Sequence, residues 1–174
     1  MIFMFDFKNI EDLVQAYITK NFKEPIIILP PSYLAAAGSV VAVPVSRDPD
    51  EIDFIELRAQ ELKETFSEML LHFIKESGEK NSTVYTRANI DRRHFSKIAN
   101  NPDYKPSKQT VLAFAIALKL DFEKTRDLLA VAGFTLSKAN LADVIVSFFI
   151  EYKIFDVDLV NQILYKYNQP LLGG

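Results

Sequence analysis

"NIDRRHFSKIANN", residues 89–101, places two arginines, a lysine, a histidine and a phenylalanine within one short stretch of chain. Asp91 can accept hydrogen bonds from the amides that follow it, so it predicts a helix over about 92–100, closed by Asn100-Asn101-Pro102. Asn89 tolerates the left-handed conformation of a tight turn, and a short helix over about 82–88 precedes it. If Phe95 and Ile98 turn inward, Arg92, Arg93, Ser96 and Asn100 fall on or near the outward face. The stretch therefore reads as the turn and second of two short helices, with a basic exposed side.

The flanking sequence extends the helical pattern in both directions. Thr65-Phe66-Ser67-Glu68 has the form of a capping box, and the helix it opens stops at Ser77-Gly78. Ser107 caps the apolar run VLAFAIALKL, and Asp121 with Glu123 opens a helix that ends at Gly133. Ser137 and Asp156 begin two more helices, about 138–152 and 157–167. Toward the N-terminus, Ile10, Leu13, Val14, Tyr17 and Ile18 recur at helical spacing, which predicts a helix over 10–22 with Asn9 as its cap. Ile26 to Leu29 and Val40 to Val43 are β-branched runs ended by proline and read as short edge strands. The apolar start MIFMFDF reads as a buried strand or cap, and the polar stretch 46–53 marks a boundary. There is no internal repeat and no low-complexity segment.

The expected organisation is thus mainly α. Residues 1–58 form a small mixed part with one helix and short strands. Residues 59–174 form a helical domain, with C-terminal helices at 137–167.

Composition narrows the chemistry. The 174-residue chain is 49% hydrophobic with fourteen phenylalanines, enough for a packed core. With no cysteine, disulfides, thiolate nucleophiles and thiolate zinc sites are excluded. His72 and His94 are the only histidines and do not stand at ligand spacing; His72, in LLHFI, is expected to be partly buried. No run approaches the roughly 18 apolar residues of a membrane span, and a cytoplasmic location is expected. Gly38-Ser39 with Asp48-Pro49-Asp50 comes near a nucleotidyltransferase pattern, but the Gly-Ser pair precedes a strand rather than a helix. No P-loop, dinucleotide turn or nucleophile elbow occurs, so neither catalysis nor a cofactor is expected. The net charge is −3, yet residues 84–110 carry six basic and two acidic side chains, net +4. A basic patch on an acidic chain is the outline of a polyanion site.

The order of helix, short helix, tight turn, second short helix, loop and two further helices resembles the lambda-repressor-like domain of Cro/C1-type helix-turn-helix regulators. The resemblance covers about 66–134. Val84 and Ala88 match its buried first short helix, Asn89 its turn, Ile90 the apolar residue after it, and Asp91 its cap. Phe95 and Ile98 match the buried positions of the recognition helix, and Pro106-Ser107 with Val111-Leu112 the start of its fourth helix. The chain departs from the pattern at Asn81, at Tyr85 where alanine is usual, and at Ala99. Tyr85 must either push the short helices apart or swing outward.

The resemblance implies a bacterial transcription regulator that binds double-stranded DNA as a homodimer. Arg92, Arg93, Ser96, Lys97 and Asn100 would then meet the DNA, with Tyr104, Lys105 and Lys108 holding phosphates. Arginine can grip a guanine edge through two parallel hydrogen bonds, or a phosphate. The apolar C-terminal helices, with Val144, Phe148 and Ile154 to Val157, are the favoured dimer face, and the proline-edged strands near Ile26 to Val45 are the alternative. The helical segment is also similar to a module at the C-termini of assorted bacterial proteins. That similarity implies a protein-interaction role in a bacterial or phage multi-component system, without DNA. The final Leu171-Leu172-Gly173-Gly174 superficially resembles ubiquitin-like tails.

Overall fold

The structure, a computed structural model, describes residues 7–23 and 64–174. The strand runs near 26–29 and 40–43, the Gly38-Ser39 pattern and the 46–53 boundary lie outside these residues, as do the first six residues of MIFMFDF. The described chain is helical: α1 (Phe7–Asn21), α2 (Phe66–Ser77), α3 (Asn81–Arg87), α4 (Arg92–Asn100), α5 (Lys108–Ala117), α6 (Phe122–Val131), α7 (Leu141–Glu151) and α8 (Val157–Lys166).

The sequence of α5 dictates the arrangement. From Thr110 to Ala117 every residue is buried, so the helix has no solvent face beyond its first turn. A helix apolar all round must be covered on every side. Here α3, α6 and α8 pack against it, α2 packs on α4 and α6, and α7 packs on α6 and α8. Helix starts are fixed locally. Thr65 and Glu68 form the reciprocal capping box, and Asp91, Ser107, Asp121 and Asp156 each accept a backbone amide at the start of α4, α5, α6 and α8.

Two starts differ from expectation: α1 begins at Phe7, so Asn9 lies within the helix rather than capping it. Asn140, not Ser137, caps α7, because its side chain accepts from the Asp143 amide. Ser137 instead donates its amide to the Asp143 carboxylate, and its carbonyl accepts from Asn140, which folds 137–140 into a turn. His72 also departs from expectation. The buried stripe of α2 runs through Phe66, Ser67, Leu70 and Ile74, which turns His72 to solvent.

Three helix pairs share one connector that no repeat in the sequence announces. Asn89, Lys119 and Lys153 sit at φ of 56°, 55° and 56° after α3, α5 and α7. In each case the next amide returns to a carbonyl five residues earlier: Ile90 to Tyr85, Leu120 to Ala115, Ile154 to Phe149. That is the bonding of a Schellman close. Ile90 and Leu120 are buried and Ile154 packs against the core, and an aspartate cap follows within two residues.

Helix α1 belongs to this helical body. Ile10, Val14 and Ile18 are buried, and α1 packs on α7. The Tyr17 ring meets Phe148 edge-on at 5.4 Å, and its hydroxyl donates to Glu151 at 2.7 Å. Burial, then the Glu151 carboxylate, pushes the Tyr17 phenol well above its usual range. Glu11 pairs with Lys166 and Gln15 accepts from Tyr167, tying α1 to α8 as well.

This packing corrects the expected dimer face. Val144, Phe148 and Val157 are buried inside one chain, and Ile154 and Phe155 are partly buried against the same core. The apolar surplus of the C-terminal helices is absorbed largely by one another and by α1. Phe148→Ala should therefore cost about 3–5 kcal/mol of stability in denaturant unfolding, because it leaves a cavity between α1 and α7. Hydrogen exchange in α1 should accelerate with it. A loss below about 1 kcal/mol would contradict this packing.

Candidate nucleic-acid interface

Helix α4 is assembled around two inward side chains. Ile98 is fully buried, and Phe95 stands 5.2 Å from the Tyr85 ring and 6.2 Å from the Phe114 ring. Phe95 thus bolts α4 to α3 and to the central helix α5. Asp91 accepts from the Arg93 amide at 2.7 Å and the His94 amide at 2.9 Å. These amides, His94's first, hold its carboxyl below its ordinary 3.8. A depressed carboxylate supports the folded state above that ordinary value, and the support fades as pH falls through the lowered one.

With the inner face fixed, Arg93, Ser96, Lys97 and Asn100 line the opposite side at spacings of three and four residues, and Arg92 sits at its edge. All five are exposed. Asn100 donates to the Ser96 carbonyl at 2.8 Å and to its hydroxyl at 3.1 Å, so these two side chains hold each other. Among the described residues, none of the ion pairs takes Arg92, Arg93, Lys97 or Lys105.

The remaining expected residues are placed differently. Tyr104 is half-buried and its hydroxyl lies 2.7 Å from His94 Nε2, so it buttresses α4. Lys105 is exposed and lines an open cleft with Thr65, Asp103 and Phe134. Lys108 is committed elsewhere. Its ammonium donates to Asp143 and to the Thr135 carbonyl, both at 2.6 Å, and Asp143 is buried. It staples the start of α5 to the α6–α7 connection. Arg87 likewise pairs with Glu79. Of the six cations between 84 and 110, four take no ion-pair partner among the described residues.

Tyr85 is half-buried and packed on Phe95, between the short helices rather than swung outward. Ala99 is half-buried and Asn81 exposed. Sequence reasoning did not bring His94 together with Tyr104, nor Gly174 with α4 and Gly173 with the turn before it. The paired glycines were the one signal available.

Comparison of the chain with family models, with curated proteins and with solved structures gives no match. Among the described residues, no helix is long and apolar enough to cross a membrane.

The two lysines predict opposite phenotypes. Lys108→Ala should lower stability by about 2–3 kcal/mol, since it leaves the buried Asp143 carboxylate without its cation. Lys105→Ala should leave the unfolding midpoint within the error of the measurement. Equal midpoints for the two variants would contradict the staple.

Proposed function

We propose that the protein binds double-stranded DNA through α4 and acts as a sequence-specific regulator, without catalysis or cofactor. The observation that carries this reading is the exposed face of α4. Arg92, Arg93 and Lys97 stand there with no acidic partner among the described residues, on a helix whose other face is locked by Phe95 and Ile98. Unpaired arginines on a rigid helix suit both guanine edges and phosphates. The proposal assigns base contacts to Arg93 and Asn100 at the middle of the face. It assigns phosphate contacts to Arg92, Lys97 and Lys105, with Ser96 orienting Asn100. Lys108 and Tyr104 take supporting roles in the fold.

One short helix reads few base pairs, so specific binding in this class uses two half-sites about 34 Å apart and a two-fold pair of chains. The proposal includes that pair, formed through surface other than the buried Val144 and Phe148. The second reading is a helical protein-interaction module, and Tyr85 favours it. A tyrosine between the short helices, where the resembled family has alanine, alters the seating of α4 in a groove.

Gel-shift titration against genomic fragments at two salt concentrations separates the readings. Regulator binding should fall steeply with salt, with a log–log slope of about −2 to −4 per chain. The specific complex should hold two chains. Arg93→Ala should weaken the specific site by roughly tenfold or more and relax preference at one position, while Lys105→Ala should weaken all sequences alike. Salt-independent binding, or none at either salt, would reject DNA reading and leave the interaction module.

A further inference from the structure

After α8 the chain turns at Asn168, with φ of 52°, and the residues 170–174 run back to the start of α4. Only one side chain of this segment is buried, Leu172. Asn161 on α8 reads both backbone groups of Leu172. Its Oδ1 accepts from the Leu172 amide at 2.7 Å, and its Nδ2 donates to the Leu172 carbonyl at 3.0 Å. Thr110 on α5 donates its hydroxyl to the Gly173 carbonyl at 3.2 Å. A side chain at either glycine is disfavoured, by backbone conformation and a tight contact at Gly173 and by overlap at Gly174. Gly173 has φ of +127°, and a Cβ there would stand 3.1 Å from the Asn89 carbonyl oxygen. At Gly174 a Cβ would overlap Nδ1 of His94 and stand 2.9 Å from Ile90 Cδ1. The His94 ring cannot turn aside without losing its contact with Tyr104.

We propose that this slot is a peptide-recognition site for a Leu-Gly-Gly segment, filled here by the chain's own Leu172 to Gly174 and open to the same segment of a second copy. Selectivity comes from three features in register: an apolar seat, an amide that pairs with the backbone of the residue in it, and two following positions that disfavour a side chain, the second by direct overlap. Exchange follows from how little holds the occupant. Among the described residues it has one buried side chain and three hydrogen bonds, and it is joined to α8 through the exposed Pro170 and Leu171. The same contacts serve an identical segment arriving from another chain. This inference is independent of the DNA reading, although the slot lies at the first turn of α4.

The two histidines supply the test, since His94 borders the slot and His72 lies exposed on α2. Imidazole resonances are recorded on the full chain, on Gly173→Ala/Gly174→Ala, and on Asn161→Ala, which loosens Leu172 without touching His94. In both variants the His94 signals should shift while those of His72 stay. The peptide acetyl-Pro-Leu-Leu-Gly-Gly-amide, added at millimolar concentration to the glycine variant, should return His94 saturably toward its original position. The Leu-Leu-Ala-Ala version should be at least tenfold weaker. His94 signals unmoved in both variants, equal effects of the two peptides, or no effect of either would overturn the proposal. Circular dichroism that shows both variants unfolded would also overturn it, because the segment would then be fixed core rather than an exchangeable occupant.

Discussion

The burial of α5 on every side is the constraint on which the remaining helices depend. From Val111 to Ala117 the helix offers only apolar side chains, with Phe114 and Ile116 fully enclosed. Burying a large apolar side chain contributes about 1.5–3 kcal/mol, so the cover supplied by α3, α6 and α8 outweighs what any surface contact can add. Phe114 passes that constraint outward to Phe95. Because Phe95 and Ile98 anchor α4 from within, its outer face needs no apolar residue and can be wholly polar and cationic.

Charge is divided along the same lines. Lys108 and Arg87 lie in the basic stretch but serve the fold, one through the buried Asp143 and the other through Glu79. Arg92, Arg93, Lys97 and Lys105 take no ion-pair partner among the described residues. An ion pair with a buried carboxylate is costly to break, whereas exposed cations are cheap to keep and remain available to a polyanion. The proposed DNA contacts are therefore the cations that the structure does not use for itself.

How much was legible in the sequence depended on how far each interaction reaches. The caps at Thr65, Asp91, Ser107, Asp121 and Asp156 were readable because a side-chain oxygen bonds an amide two or three residues away. The turn at Asn89 was readable from asparagine's tolerance of positive φ. The matching turns at Lys119 and Lys153 were not, since lysine carries no turn signal and the packing of Leu120 and Ile154 enforces the conformation. Lys108 looked like a phosphate ligand because its partner lies 35 residues away. The apolar C-terminal helices looked unpartnered because α1, which packs on α7, lies at the other end of the chain. The outward face of α4 was readable except for Lys97, which was expected to flank it, because an inward Phe95 and Ile98 fix the helix phase by themselves.

Amide chemical-shift mapping of the protein with a short DNA duplex at low salt tests the central claim most directly, that the outer face of α4 meets a polyanion. The account predicts perturbations concentrated at Arg92, Arg93, Ser96, Lys97 and Asn100, with a smaller set at Lys105, all fading as salt is added. Perturbations centred instead on the exposed Phe122 and Tyr152, with α4 unchanged, would contradict it.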